Sequence, residues 1–277
     1  MALTTDPAAF LPEETRKFYR AGAQALFDAD VPFMVGGAYA LGSATGIERH
    51  TKDFDLFIRP GDIHRALEVL ASIGCRTEFT FPHWLGKAFG PNGDFIDLIF
   101  SSGNGVARVD EEWFRHSRTE TILGMEMLVC PTEEILWQKS FILERERCDV
   151  ADVAHFLQAC ADKLDWDRLL ARFADNWRVL FSHLVLFGYI YPTERHRIPA
   201  RVMHEFSGRL KQELLAPQLN GSGRLCRGTL LSRQQYLIDI HQWGYRDVRR
   251  NPEVQMSDDD IALWTAGIEK DGNAHHD

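Results

Sequence analysis

Cysteine is scarce and scattered. Five occur (Cys75, Cys130, Cys148, Cys160 and Cys226), with no Cys-x-x-Cys pair among them. That excludes a disulfide framework and a cysteine-type zinc site, and it suits a reducing compartment. Positive charge is in deficit: 31 Lys and Arg stand against 40 Asp and Glu, a net charge of −9. A broadly basic nucleic-acid-binding surface is thereby excluded, although a local basic patch is not. Long apolar runs are missing too. The most apolar segment, Val179 to Tyr191, carries His183 and falls short of the ~20 residues that span a bilayer. The N-terminal stretch MALTTDPAAFLPEETRKF lacks the basic-then-apolar order of a secretory signal. A cytoplasmic protein with a buried core helix at Val179–Tyr191 is the expectation.

What is present is an ordinary core and room for two domains. The chain has 277 residues, 45% of them hydrophobic, and domains run ~100–200 residues each. The first third reads as α/β. A helix is expected over Glu13 to Ala29 and a short buried strand over Val31 to Val35, ending in Gly36-Gly37. DFDLFI (Asp53 to Ile58) alternates, with Asp53, Asp55 and Phe57 on one face and Phe54, Leu56 and Ile58 on the other. Asp62 is placed to cap a helix that stops at Gly74. CRTEFTF and DFIDLIF read as two further strands, joined by a loop or hairpin connection, PHWLGKAFGPNG. After Pro131 the pattern becomes mainly helical. A helix capped by Thr132 runs to about Arg147, and another begins in DVADVAHFLQAC. Further helices are expected at Trp166–Phe173, Trp177–Ile190, Pro199–Leu215 and Ser232–Trp243. Ser257 with Asp260 resembles a capping box for a last helix to about Ile268, and the stretch NGSGRLCRG reads as a flexible loop. The fold class expected is α+β, with a mixed-sheet domain over 1–130 and a helical domain over 131–277.

The chemistry-bearing residues cluster in the first domain. One residue apart on a strand, Asp53 and Asp55 project from the same face. That geometry suits one or two Mg²⁺ ions, which take oxygen ligands and share them with substrate phosphates. Alone, an Asp-x-Asp is most often an exposed strand face. Two additions alter that balance. Asp97 interrupts the apolar strand FIDLIF, where a charge is costly unless paired or bound to metal. Gly36 and Gly37 allow backbone N–H groups to approach a phosphate, having no Cβ.

Gly36-Gly37 after an apolar strand, Asp53-x-Asp55 on the next and Asp97 on a later one resemble the nucleotidyltransferase superfamily, the polymerase-beta-like fold. The segment PTEEILWQKSFILERERCDVADVAHFL is similar to a helical block of bacterial nucleotidyltransferase-like proteins in the branch related to abortive-infection toxins. Together the two blocks cover Val31 to Leu157. The resemblance implies a nucleotidyltransferase-type mixed sheet flanked by helices. It implies transfer of a nucleoside monophosphate from an NTP to a hydroxyl acceptor, with release of pyrophosphate. Asp53, Asp55 and Asp97 would be catalytic and would hold two Mg²⁺ ions. Asp97 would also assist deprotonation of the attacking hydroxyl. Gly36, Gly37, Arg49, Thr51 and Lys139 would contact the nucleotide. The acceptor stays open between small molecule, protein and RNA. Two alternatives stand beside this reading: a nucleotide-binding protein of the same fold without turnover, and a toxin-like enzyme that modifies tRNA.

Other residues admit plainer readings. Lys139 borders an apolar helical stripe, where a lysine also snorkels at the edge of a core. Asp149 and Asp152 are expected to pair with Arg145 or cap a helix. His83 and Lys87 are taken as solvated loop residues rather than cleft-lining ones. Arg195, Arg197, Arg201, Arg209 and Lys211 face only Glu205 within their window. That group is a solvated face or an acceptor-binding patch for a phosphorylated molecule. The tail His275-His276-Asp277 is not a metal site on this reading. Trp166, Trp177 and Phe187 are core aromatics.

Overall fold

The computed structural model describes residues 11–47, 53–216, 223–252, 254 and 256–272. Arg49, Thr51 and the His275–Asp277 tail, singled out above, lie outside the described residues. Two compact units are present: one of residues 1–131 with 256–277, the other of residues 132–255. The unit boundary falls between Pro131 and Thr132, next to the division expected at 130/131. The last helix, expected within a helical domain over 131–277, instead groups with the first unit.

The first unit is built on a seven-stranded mixed sheet. Its elements run α1 (Glu13–Asp28), β1 (Met34–Val35), α2 (Gly37–Thr45), β2 (Asp53–Phe57), α3 (Ile63–Ser72), β3 (Arg76–Phe81), β4 (Leu85–Phe89), β5 (Phe95–Ile99), α4 (Glu111–Arg115), β6 (Arg118–Ile122) and β7 (Met125–Val129). The strand order is β3-β4-β5-β2-β1-β7-β6. β2 pairs in parallel with β5 and β1 in parallel with β7, while the remaining neighbours are antiparallel. The fold is therefore α+β. Alternation decides which face is buried: Phe54 and Leu56 on β2 and Ile96 and Leu98 on β5 are fully buried. α1 turns Tyr19, Ala23 and Leu26 inward, a stripe of helical spacing. Tyr19 stacks on Phe54, their centroids 4.9 Å apart, and Gly22 lets α1 come down on the Ile96 side chain.

Several local expectations need correction. The segment expected as a connection, PHWLGKAFGPNG, contains a full strand, β4, paired on both sides by β3 and β5. Asp62 makes no side-chain cap bond; a short 3-10 turn, Pro60–Asp62, precedes α3. The hairpin β6–β7, which the sequence reading left unassigned, turns through Leu123 and Gly124 at φ 56° and 72°.

The second unit is helical: α5 (Thr132–Lys139), α6 (Val150–Cys160), α7 (Trp166–Phe173), α8 (Trp177–Ile190), α9 (Ala200–Leu215), the two-stranded β8 (Leu225–Cys226) with β9 (Arg246–Asp247), and α10 (Leu237–His241). α5 ends at Lys139, not near Arg147. Beyond it the chain folds back through a bridge between Leu143 and Cys148. The helix expected over Ser232–Trp243 is helical only at Leu237–His241. Trp166, Trp177 and Phe187 are buried, as core aromatics should be. Helix α11 (Asp258–Gly272) belongs to the first unit and begins with a true capping box. The Asp260 N–H donates to Ser257 Oγ at 3.1 Å, and the Ser257 N–H donates back to Asp260 Oδ2 at 3.2 Å. Among the described residues, no helix is long and apolar enough to cross a membrane.

Candidate active site

Register brings the acidic residues together. On the parallel pair β2–β5, Asp55 lies opposite Asp97 and Asp53 opposite Phe95. Side chains that oppose each other across a parallel pair share a face, as do Asp53 and Asp55 two residues apart. All three carboxylates therefore project from one face of adjacent central strands. That face is partly open at Asp53, Asp55 and Asp97, whereas the opposite face is packed under α1.

The Gly-Gly turn is wedged against this row. The Gly36 N–H donates to the Asp55 carbonyl at 2.9 Å, which fastens the turn to β2. That N–H is thus occupied within the protein, so any phosphate contact falls to the groups that follow. Gly37 opens α2 with φ +54°. A Cβ on Gly37 would stand 1.7 Å from Asp55 Oδ2, and one on Gly36 would stand 2.2 Å from the Phe57 ring. Both positions need glycine for space, and Gly37 needs it for conformation as well. The first N–H groups of a helix have no partner within the helix, and its N-terminus carries partial positive charge. Here that end meets a carboxylate.

Lys87 completes the row, and the sequence reading misplaced it. Rather than a solvated loop residue, it is a β4 residue opposite Asp97 in the β4–β5 register. Its Nζ donates to Asp97 Oδ1 at 2.7 Å and lies 4.0 Å from the centroid of the Phe95 ring. The Asp97 side chain is only 14% exposed and that of Lys87 20%. Burial pushes the Asp97 carboxyl above the usual carboxylate range; Lys87 pulls it back down and Asp53 pushes it further up. His83 is not solvated either. It is packed with its Nε2 2.9 Å from the Gly103 carbonyl and its Nδ1 3.6 Å from Asp260 Oδ1. The lysine was legible only once β4 was: alternation along a strand carries it to the Asp97 face.

The donor chemistry at this face is all carboxylate oxygen, which fits Mg²⁺ or Mn²⁺ and fits no soft metal. Asp53 and Asp55 make a pair suited to an ion that shares its shell with phosphate. Asp97 is engaged by an ammonium group. Among the described residues, no three His, Cys, Asp or Glu side chains converge to hold a metal by themselves.

No family model matches the chain, and no curated protein matches it by sequence. Its structure is similar to solved nucleotidyltransferase structures. The antibiotic-resistance factor ANT(2'')-Ia matches at 15% identity and a TM-score of 0.44, over 62% of this chain and 98% of that one. The lincosamide antibiotic adenylyltransferase LnuA, with lincomycin bound, matches at 13% and 0.39, over 54% and 99%. An antigenic nucleotidyltransferase-like protein from Paracoccidioides brasiliensis matches at 16% and 0.36, over 62% and 92%. All three TM-scores are below 0.5, too distant to assign a substrate or an activity.

The second block of the resemblance proves to be an ion-pair network within the helical unit. Lys139 donates to Asp149 Oδ2 at 2.6 Å and to Asp152 Oδ2 at 2.8 Å. A reach toward phosphate would leave two buried carboxylates without this cation. Asp149 also takes Arg147, not the expected Arg145, and its carboxyl is held below its usual range by Arg147 and Lys139 against the opposing effect of burial. Glu133 pairs with Arg168 at 2.6 Å, and fully buried Glu134 takes both Arg168 and Arg172. Three of the five basic residues from Arg195 to Lys211 are likewise paired. Arg197 pairs with Glu194, Arg201 with Asp167 and Arg209 with Glu205. Two of those acids lie outside the sequence window that made the group look unopposed.

Proposed function

We propose that the protein is a divalent-metal-dependent nucleotidyltransferase, moving a nucleoside monophosphate from an NTP to a hydroxyl acceptor. The observation that supports this most is the row Asp53, Asp55 and Asp97 on one face of β2 and β5, with the start of α2 against Asp55.

Asp53 and Asp55 would hold the ion, which would offset charge on the phosphates and lower the pKa of the attacking hydroxyl. The N–H groups at the start of α2 face the triphosphate, where anions are favoured. The acceptor oxygen attacks the α-phosphorus, forming a new P–O bond as the bond to the β-phosphate oxygen breaks. Pyrophosphate leaves with that electron pair. Asp97 accepts the hydroxyl proton, a role that suits a carboxylate whose buried setting raises its basicity. Most of the rate enhancement is positioning and electrostatics, as phosphoryl chemistry requires.

The test uses each α-labelled NTP with Mg²⁺ or Mn²⁺, and as acceptor total RNA, a protein extract or a small-molecule extract. Transfer of label to one of these, abolished in Asp53→Ala/Asp55→Ala, is the expected result. An NTP that raises the melting temperature only with metal, yet is never consumed, would favour the binding protein without turnover. No transfer and no nucleotide binding, in wild type and variant alike, sinks the reading.

A further inference from the structure

The count of ions is where this chain departs from a simple reading of its three acids. On the nucleotidyltransferase reading, the resemblance implies two divalent ions, the second at Asp97. Yet Asp97 already has a cation. Lys87 is its register partner on β4, with Nζ 2.7 Å from Asp97 Oδ1. A second contact holds the same ammonium: the face of Phe95 lies 4.0 Å away, on the strand that carries Asp97. Leu85, the next residue along the same face of β4, is buried. This ammonium is fixed by neighbours on two sides.

We infer that Lys87 fills the place of the second cation, so that the site takes a single divalent ion, held at Asp53 and Asp55. The charges support this. The three carboxylates carry three negative charges; Lys87 balances one and one divalent ion balances the other two. A second ion within ~2.1 Å of an Asp97 oxygen would sit a few ångströms from the ammonium, where like charges repel strongly in a partly buried setting. The fixed cation also gives a reason for a lysine between Leu85 and Phe89 on an otherwise apolar row of β4. Unpaired, it would be costly there; paired with Asp97, it is a permanent part of the site.

The inference rests on the nucleotidyltransferase reading, and the experiment separates the two. Mn²⁺ is titrated into the full chain, free ion being followed by electron paramagnetic resonance. The titration is run alone and with one equivalent of each non-hydrolysable α,β-methylene NTP, with protein-free blanks. One ion per chain is expected for wild type and for Lys87→Arg, and two for Lys87→Met. Two ions in wild type, or one in a folded Lys87→Met, overturn the inference while leaving the nucleotidyltransferase reading intact. Absence of both Mn²⁺ and nucleotide binding in wild type sinks that reading and this inference with it. Asp97→Asn covers the case in which Lys87→Met does not fold. It should keep the single ion, and a fall in Mn²⁺ affinity of more than about 100-fold, beyond the roughly 10–100-fold scale of losing a supporting group, would show Asp97 to be a ligand and overturn the inference.

Discussion

Gly37 and Asp55 are in contact to the exclusion of any side chain on the former: a Cβ there would lie 1.7 Å from Asp55 Oδ2. The glycine also sits at φ +54°, where an L-residue with a side chain is strained by roughly 1–2 kcal/mol. Gly37→Ala must therefore move the turn, the carboxylate or both. The expected outcome is a folded protein with a lower melting temperature. Transfer should fall by about 100-fold, since displacing a reacting group by about 1 Å costs that much. A Gly37→Ala protein with wild-type kcat/KM would place the turn outside the active site.

Asp53 and Asp55 are half-buried, and neither is a core residue. Replacing either with Asn keeps shape and removes the charge that holds the ion. Each single variant should lose more than about 100-fold in kcat, because metal-assisted charge stabilisation is worth several kcal/mol. Circular dichroism and melting should change little. An Asp55→Asn enzyme of near wild-type rate would leave the row without its central role.

Glu134 is a structural residue of the helical unit by the same evidence. Its side chain is fully buried, with Arg168 and Arg172 as its cations. Removing one partner of a buried pair strands the others, at a cost of roughly 3–5 kcal/mol. Glu134→Ala should lower unfolding free energy by that order in urea, and Glu134→Gln by less, because the amide still accepts from a guanidinium. Equal and small effects would mark the pair as solvent-accessible.

How much of this was legible in the sequence depends on whether a signal was local. The strict alternation of DFDLFI and the apolar run FIDLIF placed Asp53, Asp55 and Asp97 on strands, and the Ser257/Asp260 spacing announced α11. β4 was hidden because Pro82, Gly86, Gly90 and Pro91 punctuate it like a loop. Its strand character comes from pairing with β3 and β5, so Lys87 was misplaced with it. The β6–β7 hairpin turns at Leu123-Gly124, and leucine at positive φ gives none of the Asn-Gly or Asp-Gly cue that marks such turns. The partners of Lys139 and Glu134 lie 10 to 38 residues along the chain, beyond any helical period.

His183 gives the pH dependence. It is buried in α8, its Nε2 donating to the Ser140 carbonyl at 2.9 Å. Burial lowers its pKa from 6.5, and the hydrogen bond to Ser140 only partly opposes that. His83 in the first unit is shifted the same way by burial, opposed by Gly103 and Asp260. A histidine kept neutral in the fold binds a proton more readily when unfolded. Its contribution is therefore complete above the unfolded pKa of 6.5 and is lost as pH falls from there through the lower folded value. The melting temperature should accordingly drop between about pH 7 and pH 5. His183→Gln, whose amide still donates to Ser140, should flatten that slope, and His83→Gln should flatten it further when combined. A slope unchanged in the double variant would assign the acid sensitivity to other groups.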